Sequence, residues 1–188
     1  MSLIELLASA LGVVAVWLTV RQNRWCWPIG LVMVVMYGWI FFQGKLYSNM
    51  LLQGVYAVLQ VYGWWQWSHG GDRHTGVQVS QLSLRGLLLS AALGCLGAVS
   101  LGFAMEHYTD ASAPWQDAAL SAFSLVAQVW MAQKRIECWP LWIVIDLLFV
   151  ALFLQQGLYP TAALYALFTL LAATGWVTWR RDHALARA

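Results

Sequence analysis

The stretch YSNMLLQGVYAVLQVYGWWQW, starting at Tyr47, places Asn49, Gln53, Tyr56, Gln60, Gly63 and Trp67 at successive spacings of 4, 3, 4, 3 and 4 residues. Those spacings put all six on one face of a helix. Amides and a phenol set in an apolar segment are equipped to hydrogen-bond a polar ligand, not to make or break bonds. They have a structural reading, an interhelical hydrogen bond worth about 0.6 kcal/mol on average in a membrane. They also have a functional one, because polar side chains at membrane depth usually face a bundle interior or a water-filled cavity. One glutamine would suit the first reading. Two glutamines and an asparagine with a tyrosine among them favour a substrate-facing wall.

A second stretch, CWPLWIVIDLLFVALFLQQGLY, carries Asp146 near the middle of an apolar run. Trp142 lies one turn before it, and Phe149 and Phe153 follow on the same face. A carboxylate at that depth needs a partner, and no Lys, Arg or His lies deep inside any apolar run. The partner is either a neutral group such as Gln60 or Tyr56, or a cationic ligand held against aromatic faces. Ser124 and Gln128, four residues apart in another apolar run, are candidates to line the same cavity.

Other chemistries lack their residues. A membrane-embedded enzyme, the less favoured alternative, needs a nucleophile with a base, or metal ligands, at depth. His69, His74, His107 and His183 fall in loops or the tail, and Cys26, Cys95 and Cys138 form neither a disulfide framework nor a metal set. There is no Gly-rich phosphate loop. We therefore expect no enzyme activity, no metal and no cofactor.

The elements that must hold these residues follow from composition. The chain is 61% hydrophobic and 10% charged, against about 45–50% and about 25% in soluble domains. It reads as an integral membrane protein. Long, non-alternating apolar runs favour helices over barrel strands. Seven spans are expected, roughly 3–20, 25–43, 47–67, 84–105, 115–132, 139–155 and 158–179. The first has no basic segment before it and reads as a retained helix, not a cleaved signal. With the N-terminus outside, Arg21, Arg24, Arg73, Arg85, Lys134, Arg135, Arg180, Arg181 and Arg187 all face inward, and only Lys45 faces out. The outer loop after the fourth span carries Glu106, Asp110 and Asp117. This asymmetry argues for an N-out, C-in topology. The net charge of +2 thus reflects membrane orientation and gives no sign of a nucleic-acid partner.

The tripeptide CWP occurs at Cys26 and again at Cys138, an offset of 112 residues. The same offset carries Leu46-Tyr47 onto Leu158-Tyr159, and Gly63, Trp64 and Trp67 onto Gly175, Trp176 and Trp179. Three matches in one ungapped register indicate an internal duplication. The single transmembrane domain, 1–188, then comprises a three-helix repeat over 1–67, a linker helix over 84–105 and a second repeat over 115–179. Because a three-span unit ends opposite to where it began, the linker restores orientation, giving a 3+1+3 parallel repeat with a site expected at the repeat interface. CWP opens the second helix of each copy, with Pro tolerated in the first turn and Trp suited to the interfacial belt. The second copy has Tyr165, Phe168 and Ala172 where the first has Gln53, Tyr56 and Gln60, so the polar wall belongs to one half. In the linker, Gly86, Ser90, Gly94, Ala98 and Gly102 form a small-residue stripe, suited to a protomer contact or to packing within the chain.

The runs NRWCWPIGLVMVVMYGWIFFQGKLYSNMLLQGVYAVLQVYGWWQW and WIVIDLLFVALFLQQGLYPTAALYALFTLLAATGWVTWRR closely resemble the PnuC family of bacterial vitamin and nucleoside transporters. The likeness covers nearly the whole chain, and its most specific motif is LYxxMLLQxxYxxLQxYGWWxW. It implies a seven-helix core related to SWEET-type transporters and a homotrimer in the bacterial inner membrane. It also implies facilitated diffusion of nicotinamide riboside, trapped afterwards by a cytoplasmic riboside kinase. Thiamine, another nucleoside or riboflavin are the substrates of other members. Carried over by motif, the binding wall falls on Asn49, Gln53, Tyr56, Gln60 and Trp64, with Trp142 and Asp146 opposite. A pyridinium cation, a carboxamide and ribose hydroxyls are complementary to an aspartate, aromatic rings and amides; thiamine offers a cationic ring as well.

Overall fold

A computed structural model of the chain describes residues 3–43, 47–71, 75–108, 113–155 and 157–186. Lys45, Leu46, Arg73, His74, Asp110 and Arg187, used above, lie outside the described residues. The described chain is all-helical, with seven helices: α1 (Leu3–Val20), α2 (Cys26–Gln43), α3 (Tyr47–His69), α4 (Leu84–Tyr108), α5 (Pro114–Ala132), α6 (Cys138–Gln155) and α7 (Tyr159–Leu185). Each CWP does open its helix, and proline also occupies the first turn of α5 and α7, where its missing N–H costs nothing. The largest difference from the expected spans is α7, which continues six residues beyond 179. Three histidines also sit on helices instead of loops: His69 ends α3, His107 lies in the last turn of α4 and His183 in that of α7. His69 and His107 are exposed at these helix ends, and His183 is half-buried.

Six helices close a ring. α1 packs on α2 and α7, α2 on α3, α3 on α5, α5 on α6 and α6 on α7. α4 stands outside it, against α5 alone among the described residues. Three residues of its stripe, Ser90, Gly94 and Gly102, meet α5 within the chain. A Cβ on Gly94 would lie 2.9 Å from the Phe123 ring and one on Gly102 would lie 2.5 Å from Trp115, while Trp130 Nε1 donates to Ser90 Oγ at 3.1 Å. Five helices (α1, α2, α4, α6 and α7) are long and apolar enough to cross a membrane. α3 and α5, richer in amides and hydroxyls, fall short by that measure.

Contacts recur at the offset of 112. The Trp27 ring fills the space beside Gly63, and the Trp139 ring fills the space beside Gly175. Trp27 meets Trp67 edge-on at 5.4 Å, and Trp139 meets Trp179 edge-on at 5.1 Å. Trp67 Nε1 donates to the Ala132 carbonyl at 3.1 Å, and Trp179 Nε1 to the Val20 carbonyl at 3.3 Å. Gln22 and Lys134, themselves 112 apart, hold the α1–α2 and α5–α6 turns with left-handed φ values of 54° and 50° and touch each other, Lys134 Nζ donating to Gln22 Oε1 at 3.3 Å. These indoles correct one expectation. Trp27 and Trp139 do not sit in the lipid interface but are buried, because glycine opposite each leaves a slot that a flat ring fills with large apolar area and edge-to-face geometry.

The segment 75–83 straps this end of the bundle. Ser80 exchanges backbone hydrogen bonds with the α5–α6 turn, Lys134 O accepting at 3.1 Å and Ile136 N donating at 3.0 Å. His183 Nδ1 lies 3.0 Å from the Val79 carbonyl. Gln22 Nε2 donates to Asp182 Oδ2 at 2.7 Å. The basic residues of the α1–α2 and α5–α6 connections are thus gathered on one side of the ring with the α7 end.

Candidate substrate site

α5 and α6 present the buried polar groups Ser124, Gln128 and Asp146 of one half of the ring, and α1 and α3 present Ser9, Thr19 and Gln60 of the other. Asp146, two turns into α6, is only 5% exposed. Among the described residues neither Gln60 nor Tyr56 hydrogen-bonds it and no cation pairs with it. The Tyr56 hydroxyl pairs instead with Ser124 across the α3–α5 contact. An isolated carboxylate deep in an apolar bundle is unfavourable unless something completes it. This is where a cationic ligand gains most.

The surroundings of Asp146 are aromatic. The Tyr165 phenol on α7 lies within electrostatic reach of Asp146, Tyr37 and Tyr56. Its ring packs 4.9 Å from Phe149, 5.2 Å from Phe153 and 5.7 Å from Phe168. Trp142, one turn before Asp146, packs with Phe149 on the Leu120, Ala127 and Ile145 cluster. Its indole N–H is buried with no hydrogen-bond partner. The Trp27 and Trp139 indoles are likewise buried without a partner, but Trp142 is the one of the three that lies a turn from Asp146, where an incoming acceptor would satisfy it.

The remaining expected residues divide. Gln60 and Gln128 are buried on α3 and α5, the Gln60 amide lying directly over Gly30 of α2. Gln53 is half-buried, against the Gly38 region of α2. Asn49 is exposed in the first turn of α3. Trp64 turns to the rim of the bundle, 5.6 Å from Trp25 and beneath the Arg24 guanidinium at 5.8 Å; one residue past Gly63, it is rotated about 100° off the inward face. The structure therefore brings Tyr56, Ser124, Trp142, Asp146 and Phe149 together and leaves Asn49 and Trp64 outside. Sequence reasoning missed Tyr165 and Tyr37. The signal was present, since the offset of 112 relates them to Gln53 and Phe149.

Among the described residues this arrangement holds no group of side chains that could ligate a metal ion. The family model for the nicotinamide mononucleotide transporter matches residues 2–181. The chain belongs to this family. It is accordingly a multi-pass membrane transporter and not an enzyme. It is similar to the nicotinamide riboside transporter PnuC of Escherichia coli strain K12, 27% identical over 97% of this chain and 88% of that one. It is similar also to the riboflavin/roseoflavin transporter RibM of Streptomyces davaonensis, 28% identical over 95% of this chain and 86% of that one. The crystal structure of the vitamin B3 transporter PnuC shares the fold, with a TM-score of 0.75 at 24% identity, over 93% of this transporter and 79% of that chain.

Proposed function

We propose that this transporter carries nicotinamide riboside by facilitated diffusion. The observation that carries the reading is Asp146, a buried carboxylate that no cation among the described residues pairs with, with the Tyr165 phenol within electrostatic reach and Trp142 and Phe149 one turn to either side of it on α6. A pyridinium placed there pairs with the charge and meets aromatic faces, while the carboxamide and ribose hydroxyls find Gln60, Gln128 and the Trp142 N–H. The likeness to nicotinamide riboside transporters supports the choice. Thiamine, with its own cationic ring, fits the same chemistry. A neutral flavin is a second reading, favoured by the likeness to RibM.

Further proposals complete the account. All seven helices span the bilayer of a bacterial inner membrane, N-out and C-in, as a SWEET-like 3+1+3 parallel repeat with α4 as linker. The paired contacts at an offset of 112 and the basic residues gathered at one end support this. The homotrimer implied by family resemblance is compatible with α4, whose Leu88, Leu89, Leu96 and Phe103 are exposed. Trapping by a cytoplasmic kinase would make downhill uptake accumulate the riboside as a phosphate.

Titration of the purified protein with nicotinamide riboside, thiamine and riboflavin, repeated on Asp146→Asn, tests the assignment. We expect the riboside to bind best and to lose about 1–3 kcal/mol in the variant, the range for charged hydrogen-bonded groups, with riboflavin little affected. Equal losses for cationic and neutral ligands would assign Asp146 to scaffolding and overturn the reading.

A further inference from the structure

The two halves of the ring differ where one pair of positions faces another. On α2 and α3, Gly30 faces Gln60, and a Cβ on Gly30 would stand 2.8 Å from both polar atoms of the Gln60 amide. At the offset of 112 the same two positions on α6 and α7 hold Trp142 and Ala172. There the sizes are reversed: the large side chain comes from the second helix of the unit, and the third helix contributes a buried alanine in the cluster against which Trp142 packs. The large side chain of the pair is thus an amide seated over a glycine in one half and, in the other, an indole packed against the cluster that holds the alanine.

We propose that Gly30 is a specificity-determining position. By carrying no side chain it seats the Gln60 amide, and this exchange of sizes gives a two-fold-related pocket one amide end and one indole end. A ligand with a hydrogen-bonding substituent at one end, such as a ring carboxamide, is thereby bound in one orientation. The role deepens the substrate reading given above and rests on it. Gly30 acts through Gln60, whose amide is the far end of a flexible chain, so an added methyl group displaces the amide more readily than it disrupts helix packing.

The test is a cycle of Gly30→Ala, Gln60→Ala and the double variant in the purified full-length protein, with thermal stability recorded for each. The ligands are nicotinamide riboside and N-ribosylpyridinium, which lacks the carboxamide. We expect each single variant to weaken nicotinamide riboside about 3- to 10-fold, the range of one net hydrogen bond. The double variant should bind no worse than Gln60→Ala, and N-ribosylpyridinium should be insensitive throughout. Wild-type affinity in Gly30→Ala alongside a weakened Gln60→Ala, or losses that multiply in the double variant, would overturn the proposal and leave the site reading intact. Undiminished binding in both Gln60→Ala and Asp146→Asn would overturn the two together. If Gly30→Ala does not fold, restored folding in the double variant supports the contact, and failure of both to fold contradicts it.

Discussion

Trp67 and Trp179 face each other with ring centroids 5.9 Å apart, and each sends its indole N–H across to the other three-helix unit, to Ala132 and to Val20. Donors and acceptors alike are separated by the 112 residues that separate Gln22 from Lys134. Such reciprocity, in which i meets j and the partner of j meets the partner of i, is the mark of a two-fold joint. Here it is built within one chain, and the site around Asp146 lies in the ring that this joint closes.

The joint should be divisible into equal parts. Trp67→Phe and Trp179→Phe each remove one buried N–H donor and should each lower stability by about 1 kcal/mol, read by thermal unfolding in detergent. Trp67→Ala, which empties the space as well, should cost about 3–5 kcal/mol. Unchanged melting in both phenylalanine variants would mean that the indole hydrogen bonds contribute nothing.

Lys134 gives this end of the bundle a pH dependence. Burial holds its ammonium below the usual lysine range, opposed weakly by the Cys26 thiol, although its Nζ lies 4.6 Å above the Trp67 ring. The folded state therefore releases this proton at lower pH than the unfolded chain, whose lysine titrates near about 10.4. Stability should rise with pH between the depressed value and about 10.4, and stay at its lower level below that window. Unfolding midpoints of wild type and Lys134→Gln across alkaline pH check this: the rise should be present in the first and absent from the second.

Much of the fold was legible because rare residues mark it. Tryptophan, glycine and proline at Trp27, Gly63, Pro28 and their counterparts carry the register of the repeat, and long apolar runs fix the helices to within a few residues, α7 excepted. The inward face of α3 was legible from Gln60, Gly63 and Trp67 at helical spacing. What lay beyond a single helix was less so. The burial of Trp27 depends on a glycine 36 positions away, in another helix. The rotation of Trp64 to the rim depends on Trp25 and Arg24 meeting it there. Tyr165 looked like apolar divergence from Gln53 and became part of the Asp146 surroundings only once α7 was packed against α6.

Trp142 separates a scaffold from a binding group. Its N–H is buried without a partner, so Trp142→Phe removes a donor that stabilises nothing in the empty protein. Thermal stability should hold or rise, while affinity for nicotinamide riboside falls by about 0.5–1.5 kcal/mol. A drop in stability with unchanged affinity would place the indole in the packing alone.

The account rests on passage of a cationic riboside without energy input, and uptake into liposomes measures it most directly. Protein reconstituted without nucleotide or ion gradient should equilibrate labelled nicotinamide riboside across the membrane, stopping at equal concentrations, and the Asp146→Asn variant should be slower at low substrate. Uptake no faster than in empty liposomes, or uptake that requires an imposed proton or sodium gradient, would contradict it.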